Sequence, residues 1–221
     1  MNRMVFALAS LALFACIGVS ASQDSAPEGW TTAAPRDEIR PQFAFDATGG
    51  PGGAGCFLIR ADQREGLDGC WCKTFPIQGG KYYRFESFYR ASGVSVPRRS
   101  IVAKIHWQDD RGRSVPLDEQ PVTSYLRGAT AMAETEFPTP KATNADGWTE
   151  LSDTYHAPAK ATRAVVELHL QWTTNSEVRF SGVSFAVLVS GAASGAGRFM
   201  SRAAAGPANP GLYTRTGRAS A

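Results

Sequence analysis

The sequence predicts an all-β protein in which one jelly-roll β-sandwich lies between an N-terminal leader and a C-terminal tail. From Gln42 onward, short apolar runs alternate with clusters of glycine, proline, aspartate and asparagine, as is typical of all-β proteins. No window of eleven residues shows the periodicity of an amphipathic helix. About 165 residues remain between leader and tail, enough for one domain with a good core and too few for two.

Residues 1–21 have the composition of a secretory leader, with a basic residue near the start, an apolar segment and small residues at the end. We expect cleavage after Ala21, export to the periplasm or the extracellular space, and no membrane contact for the mature chain. An apolar run of about 16 residues is short for a membrane span. A lipoprotein anchored at Cys16 is a second interpretation, which the bulky Phe14 disfavours.

The charge of the chain is unevenly distributed. Residues 22–190, which include the predicted sandwich at 29–188, carry 18 basic and 20 acidic residues. This nearly neutral body has no basic stripe to neutralise phosphates, so we do not expect a nucleic acid partner.

The tail at 189–221 is rich in Gly, Ala, Ser, Pro and Arg, and we expect it to be disordered because it can bury little apolar surface.

Eight strands are predicted from runs of β-branched, aromatic and aliphatic residues that turn residues bound on both sides. In chain order they are 42–46, 56–61, 71–76, 82–91, 101–108, 149–156, 164–172 and 177–186.

The glycine-rich segment 50–55 matches G-x-G-x-x-G, but a strand follows it where a dinucleotide site needs a helix, so it is predicted to be a turn. Segment 118–146 is too long for a hairpin loop and is expected to fold over one end or face of the sandwich.

Alternation within two strands predicts which side chains face the core, because successive side chains of a strand point to opposite sides. The predicted core positions are Ile101, Ala103, Ile105, Trp107, Val166, Leu168, Leu170 and Trp172. The alternate positions of these strands, together with strand 82–91, carry polar side chains that we expect to form one shared polar face. Its members are Arg84, Glu86, Lys104, His106, Gln108, Glu167, His169 and Gln171.

Five tryptophans are candidates for stacking on a sugar ring, since the apolar side of a pyranose packs on an aromatic ring. Trp107 and Trp172 fall in the core register, and Trp148 begins a strand, where packing is its expected role. Trp71 and Tyr82 are therefore predicted to be the exposed aromatic contacts.

Three cysteines remain after leader removal, and in an exported protein a disulfide is the expectation. If strands 56–61 and 71–76 pair as a hairpin, Cys56 lies opposite Cys72. We therefore predict a Cys56–Cys72 disulfide with Cys70 free. A structural zinc site needs four ligands, and two cysteines spaced C-x-C splay apart on a strand, so no metal site is predicted.

The chain carries few groups suited to catalysis, with three histidines and neither G-x-S-x-G nor H-E-x-x-H. A carboxylate pair such as Glu86 and Glu167 has the chemistry for glycoside hydrolysis. On a polar sheet face, however, these carboxylates are expected to pair with Arg84 and Lys104. We therefore predict a protein that is not an enzyme and needs no cofactor.

Several short segments resemble bacterial carbohydrate-binding modules of the galactose-binding-like jelly-roll family. They are GGKYYRF at 79–85, GWTE at 147–150, PAKAT at 158–162, VRF at 178–180 and VSF at 183–185. The resemblance implies that the polar face binds a carbohydrate and that Trp71 or Tyr82 contacts a sugar ring. Many such modules have aspartates where this chain has Ser181 and Gly182, so a structural calcium ion is only weakly implied.

This resemblance extends over roughly residues 40–187. A closer similarity is to the accessory N-terminal domain of some exported bacterial carbon–nitrogen (nitrilase-like) hydrolases. PRDEIRP at 35–41 and PRRS at 97–100 are among the matching residues. In that arrangement the Glu, Lys and Cys of amide hydrolysis belong to a following domain. The leading hypothesis is thus a secreted, non-catalytic carbohydrate-binding module of unspecified oligomeric state. The alternative is the accessory domain of a truncated or frame-shifted hydrolase, which serves interaction or positioning.

Overall fold

A computed structural model of the protein describes residues 25–120 and 129–188. The predicted leader and the tail that we expected to be disordered lie outside the described residues. Within the described ranges, no helix is long and apolar enough to cross a membrane.

Two antiparallel sheets form a β-sandwich, which confirms the predicted all-β fold class. The strands are β1 (Trp30–Ala33), β2 (Gln42–Asp46), β3 (Cys56–Ala61), β4 (Asp68–Pro76), β5 (Tyr82–Ser92), β6 (Ile101–Gln108), β7 (Pro140–Thr143), β8 (Thr149–His156), β9 (Arg163–Gln171) and β10 (Ser176–Val187). The four-stranded sheet has the order β1-β4-β9-β6 and the six-stranded sheet the order β2-β3-β10-β5-β8-β7. In the part of the chain that the structure describes, helix is limited to α1 (Pro97–Ser100) and two 3-10 turns at Asp37–Ile39 and Pro51–Gly53.

All eight predicted strands are present, and β2, β3, β6 and β8 have the predicted bounds. Strands β1 and β7 were not predicted. Both are four residues long and lie at sheet edges, and every residue of β7 is exposed, so neither carries the alternation that marks a half-buried strand. The segment 50–55 is a turn between β2 and β3, as predicted, and the buried Ser181 hydroxyl donates a hydrogen bond to the Gly55 carbonyl oxygen at 2.7 Å.

The predicted hairpin of β3 with β4 is wrong, because the two strands belong to different sheets. Cys56 pairs with Asp46 of β2, whereas Cys72 pairs with Glu167 of β9 on one side and a β1 residue on the other. The connection between β3 and β4 carries the buried Leu67, and it takes the chain from one sheet to the other. The predicted Cys56–Cys72 disulfide is therefore also wrong, and the three described cysteines are free thiols.

The core lies between the two sheets, and β6 and β9 supply much of it. Seven of the eight predicted positions are buried: Ile101, Ala103, Ile105, Trp107, Val166, Leu168 and Leu170. Trp172 was predicted to join them but is 54% exposed. Strand β9 ends one residue earlier, and Trp172 has a φ of 53°, so the alternation of the strand no longer sets its direction.

The long segment after β6 joins the open edges of the two sheets. Glu136 exchanges two backbone hydrogen bonds of 3.0 Å with Ile105, which adds this segment to the outer edge of β6. A few residues later the chain enters β7, at the edge of the six-stranded sheet. The segment therefore covers one side of the sandwich, in line with the expected fold-over, and residues 121–128 of it lie outside the described ranges.

Candidate ligand-binding face

The outward side of the four-stranded sheet brings together chemically active side chains from three strands. The register places Glu167 between Cys72 and Lys104, and it places His169 opposite Cys70. We call this surface the histidine face. It carries Cys70 and Cys72 from β4, Lys104 and His106 from β6, and Glu167, His169 and Gln171 from β9.

Arg84 and Glu86 do not belong to the histidine face, so the prediction of a single shared polar face is wrong. Both residues lie on β5, in the six-stranded sheet. Arg84 donates to Glu86 at 3.2 Å and to Glu150 at 3.5 Å, which makes an exposed charge network on the other sheet. The alternation within β5 was interpreted correctly, but it carries no information about which sheet the strand joins.

The two predicted aromatic contacts also lie away from the histidine face. Trp71 points into the core, where it is 5% exposed and donates its indole N–H to the Leu58 carbonyl oxygen at 3.0 Å. Its predicted exposure is therefore wrong, because Cys70 and Cys72 occupy the outward positions beside it. Tyr82 is exposed as predicted, but it lies on the six-stranded sheet, with its ring centroid 4.8 Å from that of His156.

A chain of hydrogen-bonding groups crosses the histidine face and centres on Glu167. The carboxylate oxygen Oε2 of Glu167 lies 2.7 Å from Nε2 of His169 and 3.3 Å from Nε2 of His106. The second ring nitrogens are also engaged: Nδ1 of His169 lies 3.2 Å from Asp68, and Nδ1 of His106 lies 3.0 Å from Thr135. Hydrogen bonds to the two histidines hold the pKa of Glu167 well below its usual range, and the bond to His106 has the larger effect.

Two thiols lie beside this chain, on the same face. The hydrogen bond between the two sulfurs lowers the pKa of Cys72 to about 6 and raises that of Cys70. The Thr31 hydroxyl, 3.1 Å from the Cys72 sulfur, also lowers the pKa of Cys72. Cys72 is partly exposed, whereas Cys70 and Cys56 are buried.

Alkylation by iodoacetamide near neutral pH is expected to modify Cys72 well before Cys70 or Cys56. The thiolate is the reactive form, and Cys72 combines a lowered pKa with exposure to solvent. Mass spectrometry of the native protein over time checks this, and fragment spectra distinguish Cys70 from Cys72 on their shared peptide. The denatured protein, in which all three should react, is the control. A Cys56–Cys72 disulfide would instead leave Cys70 as the modified residue.

A groove of about 550 Å³ borders the histidine face along β6. Trp172 and Phe137, each 54% exposed, contribute to its lining. Its polar lining includes cationic side chains and an amide: Arg98, Arg99, Lys104 and Gln171. We call this feature the Trp172 groove. Its residues come from α1, from β6, from the segment before β7 and the first residue of β7, and from the end of β9.

The exposed position of Trp172 follows from how β9 ends. The main-chain N–H of Trp172 donates to the Leu67 carbonyl oxygen at 2.8 Å. The side-chain amide of the preceding residue, Gln171, donates to the Arg99 carbonyl oxygen at 3.0 Å. The Arg99 guanidinium lies 5.6 Å from the Trp172 ring centroid. A second groove, of about 460 Å³, is lined by Trp172 and by residues of two loops, among them Glu65 and Ser95. Trp172 thus borders two grooves.

The sequence placed four of its polar candidates together and missed the aromatic ones. His106, Glu167, His169 and Gln171 share the histidine face, although His169 and Gln171 are only 6% and 7% exposed. Trp172 was assigned to the core because it continues the alternation of β9. Its position directly before the polar turn 173–175 was the one local sign that the strand had ended.

No protein-family model matches the chain, and no curated protein matches it either. Solved structures show distant similarity. One is the enzymatically active domain of tailspike protein 4 of bacteriophage CBA120 (TM-score 0.48, 11% identity, covering 73% of this chain and 20% of that one). Another is the xylanase 10B CBM22-1–GH10 structure of Clostridium thermocellum with xylohexaose (TM-score 0.47, 15% identity, 72% and 26%). A third is the CBM22-1 xylan-binding domain of Paenibacillus barcinonensis Xyn10C (TM-score 0.43, 8% identity, 75% and 89%).

The chain spans about a fifth and a quarter of the first two of these structures. The resemblance to an accessory domain of carbon–nitrogen hydrolases stays a prediction. Similarities this remote do not assign the chain to a family.

Proposed function

We propose that the protein is an exported, non-catalytic carbohydrate-binding module that holds its ligand in the Trp172 groove. The observation that carries the proposal is the exposed indole of Trp172 beside fixed polar groups. A sugar ring presents an apolar side to an aromatic ring and hydroxyl groups at its edge. The groove supplies both kinds of partner, with Phe137 as a second aromatic side chain and Lys104 and Arg99 as hydrogen-bond donors.

The charge of the groove favours an acidic carbohydrate. Among the described residues, its lining includes Arg98, Arg99 and Lys104 and contains no carboxylate. Guanidinium groups bind carboxylates in a planar, paired geometry, and an ammonium group adds a point charge. A glycan that contains uronic acids therefore fits the groove better than a neutral one. Because Trp172 and Arg99 also line the second groove, consecutive sugar units have room on both sides of Trp172.

Replacement of Trp172 by alanine is expected to weaken binding to an acidic polysaccharide at least about tenfold, since loss of a central aromatic contact costs about 1.4 kcal/mol or more. Affinity electrophoresis and calorimetry against polygalacturonate, alginate, glucuronoxylan and a neutral xylan measure the effect. Binding to the acidic members should weaken with added salt.

Tyr82→Ala is the matched control for that experiment. Tyr82 is 57% exposed, close to the value for Trp172, but it lies on the six-stranded sheet, so its loss should leave binding unchanged. If the Trp172→Ala variant bound the polysaccharide with full affinity, the Trp172 groove would not be the binding site. A panel with no bound polysaccharide would remove the proposed function itself.

Export is part of the proposal and concerns residues outside the described ranges. Sequencing the N-terminus of the mature protein should show Ser22 as its first residue. A mature protein that retains Met1 would contradict export through a cleaved leader.

A further inference from the structure

Three potential metal ligands converge on the histidine face, next to the Trp172 groove but outside its lining, and a fourth lies beside them. The Cys70 sulfur, a ring nitrogen of His169 and a carboxylate oxygen of Glu167 all lie within 4.8 Å of one another. The Glu167 oxygen that meets His169 Nε2 at 2.7 Å also lies 3.3 Å from His106 Nε2. One sulfur, one imidazole nitrogen and one carboxylate oxygen thus meet at one place, and the imidazole of His106 lies beside the carboxylate.

Both imidazoles are oriented as metal-bound histidines are. Nδ1 of His169 faces the Asp68 carboxylate at 3.2 Å, and Nδ1 of His106 faces the Thr135 hydroxyl at 3.0 Å. When each Nδ1–H is donated to its oxygen, the lone pair of each Nε2 is directed towards Glu167. A carboxylate or another oxygen on the second nitrogen is the usual outer contact of a metal-ligating histidine, where it sets the tautomer and the ring orientation.

The backbone holds these ligands on paired strands rather than on loops. Cys70 and His169 are direct cross-strand partners, and Glu167 lies two residues along β9 on the same side. His106 belongs to β6, the other neighbour of β9. The side chain of His106 is 33% exposed and that of Glu167 is 25% exposed, so an ion can enter from solvent.

We propose that Cys70, His106, Glu167 and His169 form a site for a four-coordinate divalent transition-metal ion of the zinc class. Zinc binds thiolate, imidazole and carboxylate ligands in tetrahedral sites of this size, whereas magnesium and calcium prefer oxygen ligands throughout. The thiol of Cys70 releases its proton to solvent when the ion binds. The competing account is an ion pair between Glu167 and a protonated imidazole that holds no ion. The cysteines alone are too few to hold such an ion, and for this reason the sequence predicts no metal site.

The test is a titration of the purified full-length protein with Co²⁺ as a spectroscopic probe. Bound metal is first removed with EDTA, and the EDTA is then removed by dialysis. Tetrahedral cobalt should give strong visible bands together with a sulfur-to-cobalt charge-transfer band in the near ultraviolet. Zn²⁺ should displace the cobalt and abolish both signals. Cys70→Ser should remove the charge-transfer band, and Asp68→Ala should lower the zinc affinity about 10- to 100-fold through the outer contact to His169.

Two control variants remove the same residue types from the six-stranded sheet. Cys56→Ser and His156→Ala should leave the cobalt spectrum unchanged, since neither residue lies on the histidine face. Circular dichroism verifies the folding of each variant. If Cys70→Ser does not fold, His106→Ala changes a partly exposed side chain and should weaken cobalt binding instead.

Native protein that develops no cobalt bands, or a folded Cys70→Ser variant that keeps the charge-transfer band, would overturn the proposal. Trp172→Ala should bind Co²⁺ as the native protein does. The tests of metal binding and of carbohydrate binding are therefore independent of each other.

Discussion

Truncation of Trp107 to alanine is expected to lower the free energy of unfolding by about 4 kcal/mol, the middle of the range for buried aromatic residues. Trp107 is 3% exposed on β6, and its ring centroid lies 6.2 Å from that of Phe185. Its indole N–H donates to the Glu136 carboxylate at 3.4 Å. Burial already raises the pKa of Glu136, so loss of this donor leaves a half-buried carboxyl group without that hydrogen bond.

A loss of this size is a large part of the total stability of an ordinary domain, about 5–15 kcal/mol. Urea denaturation followed by circular dichroism measures it. The matched control is Trp172→Ala, which removes the same side chain from an exposed position and should change the unfolding free energy by less than about 1 kcal/mol. Equal losses in the two variants would contradict the assignment of Trp107 to the core and Trp172 to the surface.

Replacement of Gly79 by alanine is expected to cost about 3 kcal/mol of stability, at the upper end for overpacking. A Cβ atom at Gly79 would lie 2.3 Å from the carbonyl oxygen of Ala159 and 2.6 Å from that of Pro158. These are main-chain atoms of the turn between β8 and β9. The turn is hydrogen-bonded to the Gly79 segment by the Gly80 N–H, 2.8 Å from the Ala157 carbonyl oxygen, so it cannot move away without breaking that contact.

Gly80→Ala is the control for this second prediction. Gly80 has a φ of 74°, but no atom lies within 4 Å of its ideal Cβ position. Its substitution should therefore cost only the strain of a left-handed backbone, about 1 kcal/mol. Thermal and urea denaturation of both variants compare the two effects. A Gly80 variant as unstable as the Gly79 variant would show that backbone strain, rather than contact with the neighbouring turn, limits this segment.

Strand positions were predictable wherever a strand has one buried and one outward side. Strand β6 is the clearest example, since buried and partly exposed residues alternate along its whole length. Strands β1 and β7 lack such a pattern, because a short edge strand derives its conformation from hydrogen bonds to its neighbour more than from burial.

For the candidate sites, the alternation of residues along each strand predicted which side chains point outward, but not which strands lie side by side. His106, Glu167 and His169 were correctly placed on outward positions, and they meet because β6 and β9 pair directly. Arg84 was also correctly placed on an outward position, yet β5 belongs to the other sheet. The convergence of Cys70 on His169 required the pairing of β4 with β9, which the expected hairpin with β3 excluded.

By itself, the sequence determined the fold class, the eight main strands and the outward or inward direction of most of their side chains. These properties follow from the two-residue repeat of a strand, which depends on near neighbours in the chain. The tertiary structure alone decided which strands share a sheet, that Trp172 leaves the core, and that a cysteine, a histidine and a glutamate meet, with a second histidine beside the glutamate. Strand pairing depends on contacts between residues far apart in sequence, and a two-residue repeat is the same whichever strand lies alongside.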